Sequence, residues 1–453
     1  MIKKLNIKTL ILLISIIIVI SYFFISSIMD TNRSNYLKNL FSDEQRELIK
    51  KYIFPHKHWS YQYKKELKKK ESGSDIEVTE SSIKLSNGQT LKKYVLSSGF
   101  HAGISNELPG SGYIDFFKNN MFILSARGVL AFRNNLTDDE ENFKQIKNNI
   151  NEFINLNQFK KNRWFSLKDL TIFKNQVFIS YTEEIKEDCW NTSVIYGDIN
   201  YKNIKFRKLF SPKECIHSIN NIDKEFNAHQ SGGKIISFDD NHILLSIGDY
   251  RSRYLAQDNQ SVNGKIIKIN VKNSEYEIVS MGHRNPQGLY FDKENNFILE
   301  TEHGPTGGDE INLIEVNKIS EDKLQNFGWA ISSAGEHYGL KSEENKKKYE
   351  KYPLYKSHTE HGFVEPIFSF VPSIGISEIV KIEKNKYVLG ALGHYRDVDK
   401  SLYFFELNDE KKIINLKQVK VFERIRDLSV KNNKLYLFME NTASIGVIDL
   451  SKN

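Results

Sequence analysis

Residues 282–316 read GHRNPQGLYFDKENNFILETEHGPTGGDEINLIEV. At their centre, LYFDKENNFIL (289–299) is a short apolar run, a polar turn rich in Asn, Asp and Lys, and a second apolar run. Aromatic content in the flanks reads as strand, and the turn chemistry reads as a hairpin. The unusual polar residues stand just before the first strand and just after the second. Those two ends of a hairpin lie together, so residues far apart in sequence converge on one face.

The same pattern recurs along the chain as IDFFKNNMFIL from Ile114, LTIFKNQVFIS from Leu170, IISFDDNHILL from Ile235, IVKIEKNKYVL from Ile379 and LSVKNNKLYLF from Leu428. With the hairpin at Leu289 that makes six, roughly 50 to 90 residues apart, and runs such as GKIIKINV and SLYFFEL supply further strands. Strand-rich units at this period predict an all-β fold, a six-bladed β-propeller, because radial closure protects sheet edges that an open array would expose. A β-sandwich would not need the same hairpin six times.

The net charge of +7 does not describe a nucleic-acid binder. Residues 1–75 hold 14 Lys and Arg against 7 Asp and Glu, so the remainder is about neutral and offers no basic domain to track phosphates. Leu10 to Met29 (LILLISIIIVISYFFISSIM) carries no charge over the length that crosses a bilayer core, and Lys3, Lys4 and Lys8 precede it. The expectation is an uncleaved single-pass anchor with the chain beyond it exported, placing the protein on a bacterial inner membrane and facing the periplasm. A cleaved signal peptide is the alternative, but Ser26, Ser27 and Met29 make a poor cleavage site. The expected organisation is an anchor over 1–30, a Lys-rich, solvated membrane-proximal stalk leading into the first strands over 31–94, and the propeller over 95–453. The two cysteines, Cys189 and Cys215, flank a plausible strand pair; in an exported chain they predict a disulfide.

Applied to the hairpins, the convergence rule gathers candidate site residues. The third brings His229 and Gln230 together with Asp249. The fourth brings Arg284, Asn285 and Gln287 together with His303, Gly304, Pro305, Asp309 and Glu310. The sixth adds Arg424 and Arg426. Each has a structural reading too: His229 as a strand cap, Asp249 as a turn residue, the two Arg paired with Glu423 or Asp427, GPTGGDE as a tight loop. Their coincidence at one end favours a site. A His backed by a carboxylate is an oriented general base, several Arg around one cavity suit a polycarboxylate or phosphate, and loop carbonyls beside acids suit Ca2+.

GHRNPQG, EHGPTGGDEINLI with NFGW, HQSGGK with SIGD, and ERIRD together resemble the quinoprotein glucose dehydrogenases, in particular their aldose sugar dehydrogenase branch. The resemblance is strongest over 229–329 and traceable from about residue 112 to the C-terminus. It implies a propeller holding pyrroloquinoline quinone and Ca2+ at the channel mouth and oxidising an aldose sugar at C1 to a lactone. His229 would take the hydroxyl proton, with Asp249 orienting it. Arg284 and Asn285 would contact the reactive quinone carbonyl, Gln287 and His303 would line the cofactor, and Arg424 and Arg426 would hold its carboxyl edge. The Gly304 and Pro305 carbonyls would face its Ca2+, with Asp309 and Glu310 as further metal candidates and Glu310 on a second, structural ion. Electrons would leave to a membrane quinone or a cytochrome. Two departures stand out: Gly393, in ALGHYR, replaces a family lysine that His394 or Arg396 would have to stand in for, and FILSARG offers the cofactor only Ser125 and Arg127. They keep open an alternative, a propeller without catalysis that binds a glycan or protein partner.

Overall fold

The computed structural model describes residues 15–22, 45, 55–97, 99–100, 111–134, 142–319, 324–338, 343–393 and 400–452. It divides into two units, Met1–Gln62 and Tyr63–Asn453. In the first, residues 15–22 are helical; most of the expected anchor lies outside the described residues, and among the described residues no helix is long and apolar enough to cross a membrane.

The second unit holds six sheets, and the first two strands of each are the hairpins expected from sequence. Blade one opens on Gly112–Phe117 and Asn120–Ser125, and blade two on Leu167–Phe173 and Gln176–Lys186. Blade three opens on Gly232–Ser237 and His242–Ile247, and blade four on Pro286–Asp292 and Phe297–Glu302. Ile376–Glu383 and Lys386–Ala391 open blade five, and Ile425–Lys431 and Lys434–Met439 open blade six. The first strands are ring neighbours along the channel.

Two boundaries differ from expectation. The division at residue 95 falls inside Thr90–Leu96, which pairs with Ser444–Asp449 and closes blade six with an N-terminal strand; Val78–Lys84 then pairs outside it. The stalk is not free from Tyr63 onward. On the helix Pro55–Ser72, Tyr63 and Glu66 are 2% and 3% exposed, and the Arg127 guanidinium lies over the Tyr63 and Phe159 rings. Arg127 is thus a structural clamp, its two terminal nitrogens donating to the carbonyls of Phe165 (2.5 Å) and Arg163 (2.9 Å).

Apolar layers between adjacent blades form the core, such as Ile114, Ile123 and Ala131 against Tyr436, Phe438 and Ile445. Polar latches repeat around the ring. Asp427 accepts from Ile114 N (2.7 Å), Asp115 from Ile172 N (2.6 Å) and Asp169 from Ile235 N (2.9 Å), each reaching to the next blade. Thr301 and Ser377 hydroxyls donate onward to Ser377 O and Ile425 O. Cys189 and Cys215 are bonded, with Cα atoms 5.3 Å apart, as expected.

Candidate active site

The first strands of blades two to six each carry a register shift near their start: between Leu167 and Asp169, Gly232 and Ile235, Pro286 and Gly288, Ile376 and Ile379, and Ile425 and Asp427. A bulge adds a residue to one strand and re-aims its side chains. The bulged residues Lys168, Lys234, Gln287, Glu378 and Arg426 all line one cavity of about 110 Å3 at the channel. Irregularity in the innermost strands therefore builds the site.

His229, Asn285, Gln287, His303, Arg424 and Arg426 line this cavity, as expected from sequence. The His229 ring lies against Trp164, with centroids 5.1 Å apart. Burial, reinforced by the charges of Arg284, His303, Arg251 and Lys168, holds its imidazole well below the usual histidine range, so it is neutral at neutral pH. Arg424 and Arg426 share one carboxylate, Glu440, at 3.0 and 2.7 Å, rather than pairing with Glu423 or Asp427. Burial would raise the Glu440 carboxyl, but the two guanidiniums outweigh it and hold it at about 2. Arg424 also donates to Leu392 O (2.7 Å), and Arg426 to Gln287 Oε1 (3.2 Å). Asn285 Oδ1 is occupied by Gly232 N (3.1 Å) and Gln287 Nε2 (3.1 Å), which leaves its amide nitrogen for a ligand. His303 Nε2 donates to Ile376 O (2.6 Å).

Four expected roles are not met by this geometry. Asp249 does not reach His229: its carboxylate accepts from Trp329 Nε1 (2.7 Å) and Arg251 N (2.8 Å). It also accepts from Gln230, whose amide, oriented to satisfy its neighbours, receives Arg284 on its other side (2.8 Å). Arg284 points away from the cavity. Its Nη1 donates to His303 O and Gly304 O, both at 2.7 Å, while Nη2 reaches Tyr338. Gly304 O, expected to face Ca2+, is therefore held by a guanidinium, and Pro305 lines a separate cleft with Arg284 and Trp329. Asp309 is spent on backbone, accepting from Gly304 N (3.1 Å), Ile374 N (3.1 Å), Gly375 N (2.7 Å) and Ile376 N (3.0 Å). Arg284 and Asn285 both precede the strand Pro286–Asp292, and of the two only Asn285 lines the cavity. His394 and Arg396 lie outside the described residues.

Sequence reasoning missed several lining residues: Tyr113, Trp164, Lys168, Asp169, Lys234 and Glu378. Lys234 sits among three carboxylates, pairing with Glu378 and, at 3.0 and 3.2 Å, with Asp169 and Asp427. Lys168 and Asp169 begin the second hairpin and were findable by the convergence rule; the others depend on bulges that leave no sequence mark.

The donor set can grip a polycarboxylate: Arg424 and Arg426 share the single carboxylate of Glu440, Lys168 pairs with none among the described residues, and the cavity's other carboxylates, Asp169, Glu378 and Asp427, are engaged by Lys234. The enclosed volume is below the roughly 300 Å3 at which small-molecule pockets begin, so most of a tricyclic quinone would extend beyond it. Calcium does not fit at Gly304. It does fit blade four, where Glu300, Glu302 and Glu310 are buried together with His283 and Asn312. Burial and the neighbouring Glu302 charge push the Glu300 and Glu310 carboxyls well above the usual range, and Glu300 Oε1 and Asn312 Oδ1 have no hydrogen-bond partner. Such oxygen donors suit a hard cation.

The family model for glucose/sorbosone dehydrogenase matches residues 173–447. An aldose sugar dehydrogenase of Escherichia coli is 25% identical over 260 residues, covering 52% of this chain and 62% of that protein. Quinoprotein glucose dehydrogenase B of Acinetobacter calcoaceticus is 32% identical over 131 residues, 22% of this chain and 26% of that one. The chain thus spans less than two thirds of these relatives. The crystal structure of the soluble Escherichia coli aldose sugar dehydrogenase in its apo-form superposes with a TM-score of 0.55 at 20% identity, covering 76% of this chain and 96% of that one, and shows the shared fold. With 275 of its 453 residues inside the family model, the chain belongs to the glucose/sorbosone dehydrogenase family.

Proposed function

We propose that the protein is a sugar dehydrogenase that oxidises an aldose at C1 to the lactone, with pyrroloquinoline quinone at the channel cavity and Ca2+ among the blade-four carboxylates. The observation that carries this reading is a neutral imidazole, His229, in one cavity with four cationic side chains, Lys168, Lys234, Arg424 and Arg426. When bound, the quinone supplies the two-electron acceptor for the hydride leaving C1. His229 takes the C1 hydroxyl proton; its lowered pKa keeps it unprotonated and ready. Trp164 fixes one side of the ring. The Asn285 amide nitrogen offers a donor to negative charge developing on an acceptor oxygen. Arg424 and Arg426, pre-oriented by Glu440, grip a carboxyl edge. Asp249 acts at a distance, holding Gln230 and through it Arg284.

The apolar Leu10 to Met29 supports the further proposal of an inner-membrane anchor that holds the propeller in the periplasm and delivers electrons to a membrane quinone or cytochrome. Recovery of the intact N-terminus from the membrane fraction agrees with it; a mature N-terminus near Asp30 refutes it. The catalytic reading is tested by supplying purified protein with the quinone and Ca2+ and following aldose-dependent dye reduction. A second reading, a non-catalytic propeller binding a glycan or protein, is favoured by one observation: Arg284 occupies the Gly304 carbonyl that the family's reaction is expected to leave for a cation. That reading expects neither quinone uptake nor dye reduction.

A further inference from the structure

Lys168 is the bulged residue of blade two, and its stem is pressed onto Gly233: a Cβ on Gly233 would meet Lys168 Cβ at 2.3 Å. Its Nζ donates to Trp164 O at 2.9 Å. Among the described residues no carboxylate pairs with it, whereas the other three cations of the cavity, Lys234, Arg424 and Arg426, all hold carboxylates. An ammonium removed from bulk water without a counter-ion is costly, and the cost is recovered when an anion arrives.

We propose that Lys168 is an anchor for an anionic oxygen of the ligand in this cavity, a carboxylate of an aromatic polycarboxylate, acting beside Arg424 and Arg426. This rests on the proposed function in taking the ligand to be the quinone. The groups around Lys168 agree with it. Blade one presents Arg127 and blade six Arg426, both repelling its charge, and burial with these two lowers its pKa to about 7. From blade three, His229 is neutral and Lys234 is spent on the carboxylates of Asp169, Glu378 and Asp427. The free amine is therefore partly uncharged at neutral pH, and an anion seated against it draws a proton onto it.

The test is calorimetric titration of the parent, Lys168→Met and Lys168→Arg with pyrroloquinoline quinone and, separately, with benzene-1,3,5-tricarboxylate. Titrations at pH 8 in buffers of different ionisation enthalpy count protons. Asp169 and Glu378 are pushed up by burial and titrate nearby, so the difference between parent and variant carries the result. Expected is proton uptake by the parent that Lys168→Met lacks, with affinity at pH 6 weaker by about tenfold or more. Lys168→Arg, permanently charged, keeps the affinity without the uptake. Unchanged affinity and proton count in Lys168→Met overturn the anchor while leaving the quinone reading standing. Binding of the tricarboxylate but not the quinone, with the same dependence on Lys168, sinks the quinone reading and leaves the anchor. If the parent binds neither, both fall.

Discussion

At the level of single residues, the proposed chemistry turns on His229. Its environment disfavours the protonated form, so the rate should hold as pH falls through 6.5 and decline only further into acid, where the imidazole at last protonates. A pH profile of kcat whose acid limb sits at or above the usual histidine value would contradict this. His229→Gln should lower the rate by about a hundredfold or more with quinone affinity nearly unchanged. Asp309 makes a different prediction. Its carboxylate satisfies four backbone N–H groups where blade four meets blade five, three of them from Ile374 to Ile376. Asp309→Ala should therefore cost about 3 kcal/mol or more in urea unfolding, because the buried donors lose their acceptor. A metal-ligand role would instead give a loss that depends on Ca2+. The identities of His229, Asn285, Gln287, Arg424 and Arg426 were legible from their place at strand starts. Their partners were not, because whether Asp249 faces His229 or Trp329 is decided by the turn after Ile247, not by spacing.

At the element scale the bulged inner strands matter most. Alternation of apolar and polar residues reveals a strand but not the extra residue that shifts its register, which is why all six hairpins could be read while Lys234 and Glu378 were overlooked. Gly233 shows how tightly one bulge is built: its φ is +116°, and any Cβ would strike Lys168. Gly233→Ala should lower stability by about 1–3 kcal/mol and weaken polycarboxylate binding, since it forces out the Lys168 stem. The Cys189–Cys215 bond closes a 26-residue separation beside blade two. Its removal by paired Ser substitution should cost about 3 kcal/mol, the loop-closure scale for that length, seen as a lower urea midpoint.

For the whole molecule, closure is the governing fact. Blade six takes its fourth strand, Thr90–Leu96, from the N-terminal side, joining the two ends of the propeller as a seam. Most of that strand falls within the stretch expected to lead from the Lys-rich segment into the first strands; it pairs with Val78–Lys84 just before it and with Ser444–Asp449 some 350 residues on, a pairing that spacing alone does not reveal. A chain beginning at residue 63 should keep one cooperative melt, whereas one beginning at residue 97 should expose the edge of Ser444–Asp449 and aggregate. In the proposed function this closed ring presents a sugar to a quinone beside His229. The most direct measurement is the anaerobic change in quinone absorbance on mixing aldose with quinone-loaded protein in a single turnover. Expected is sugar-dependent bleaching in the parent, slowed about a hundredfold or more in His229→Gln while the quinone stays bound. Quinone that binds yet is not reduced by any aldose, or that bleaches equally fast without His229, would contradict it.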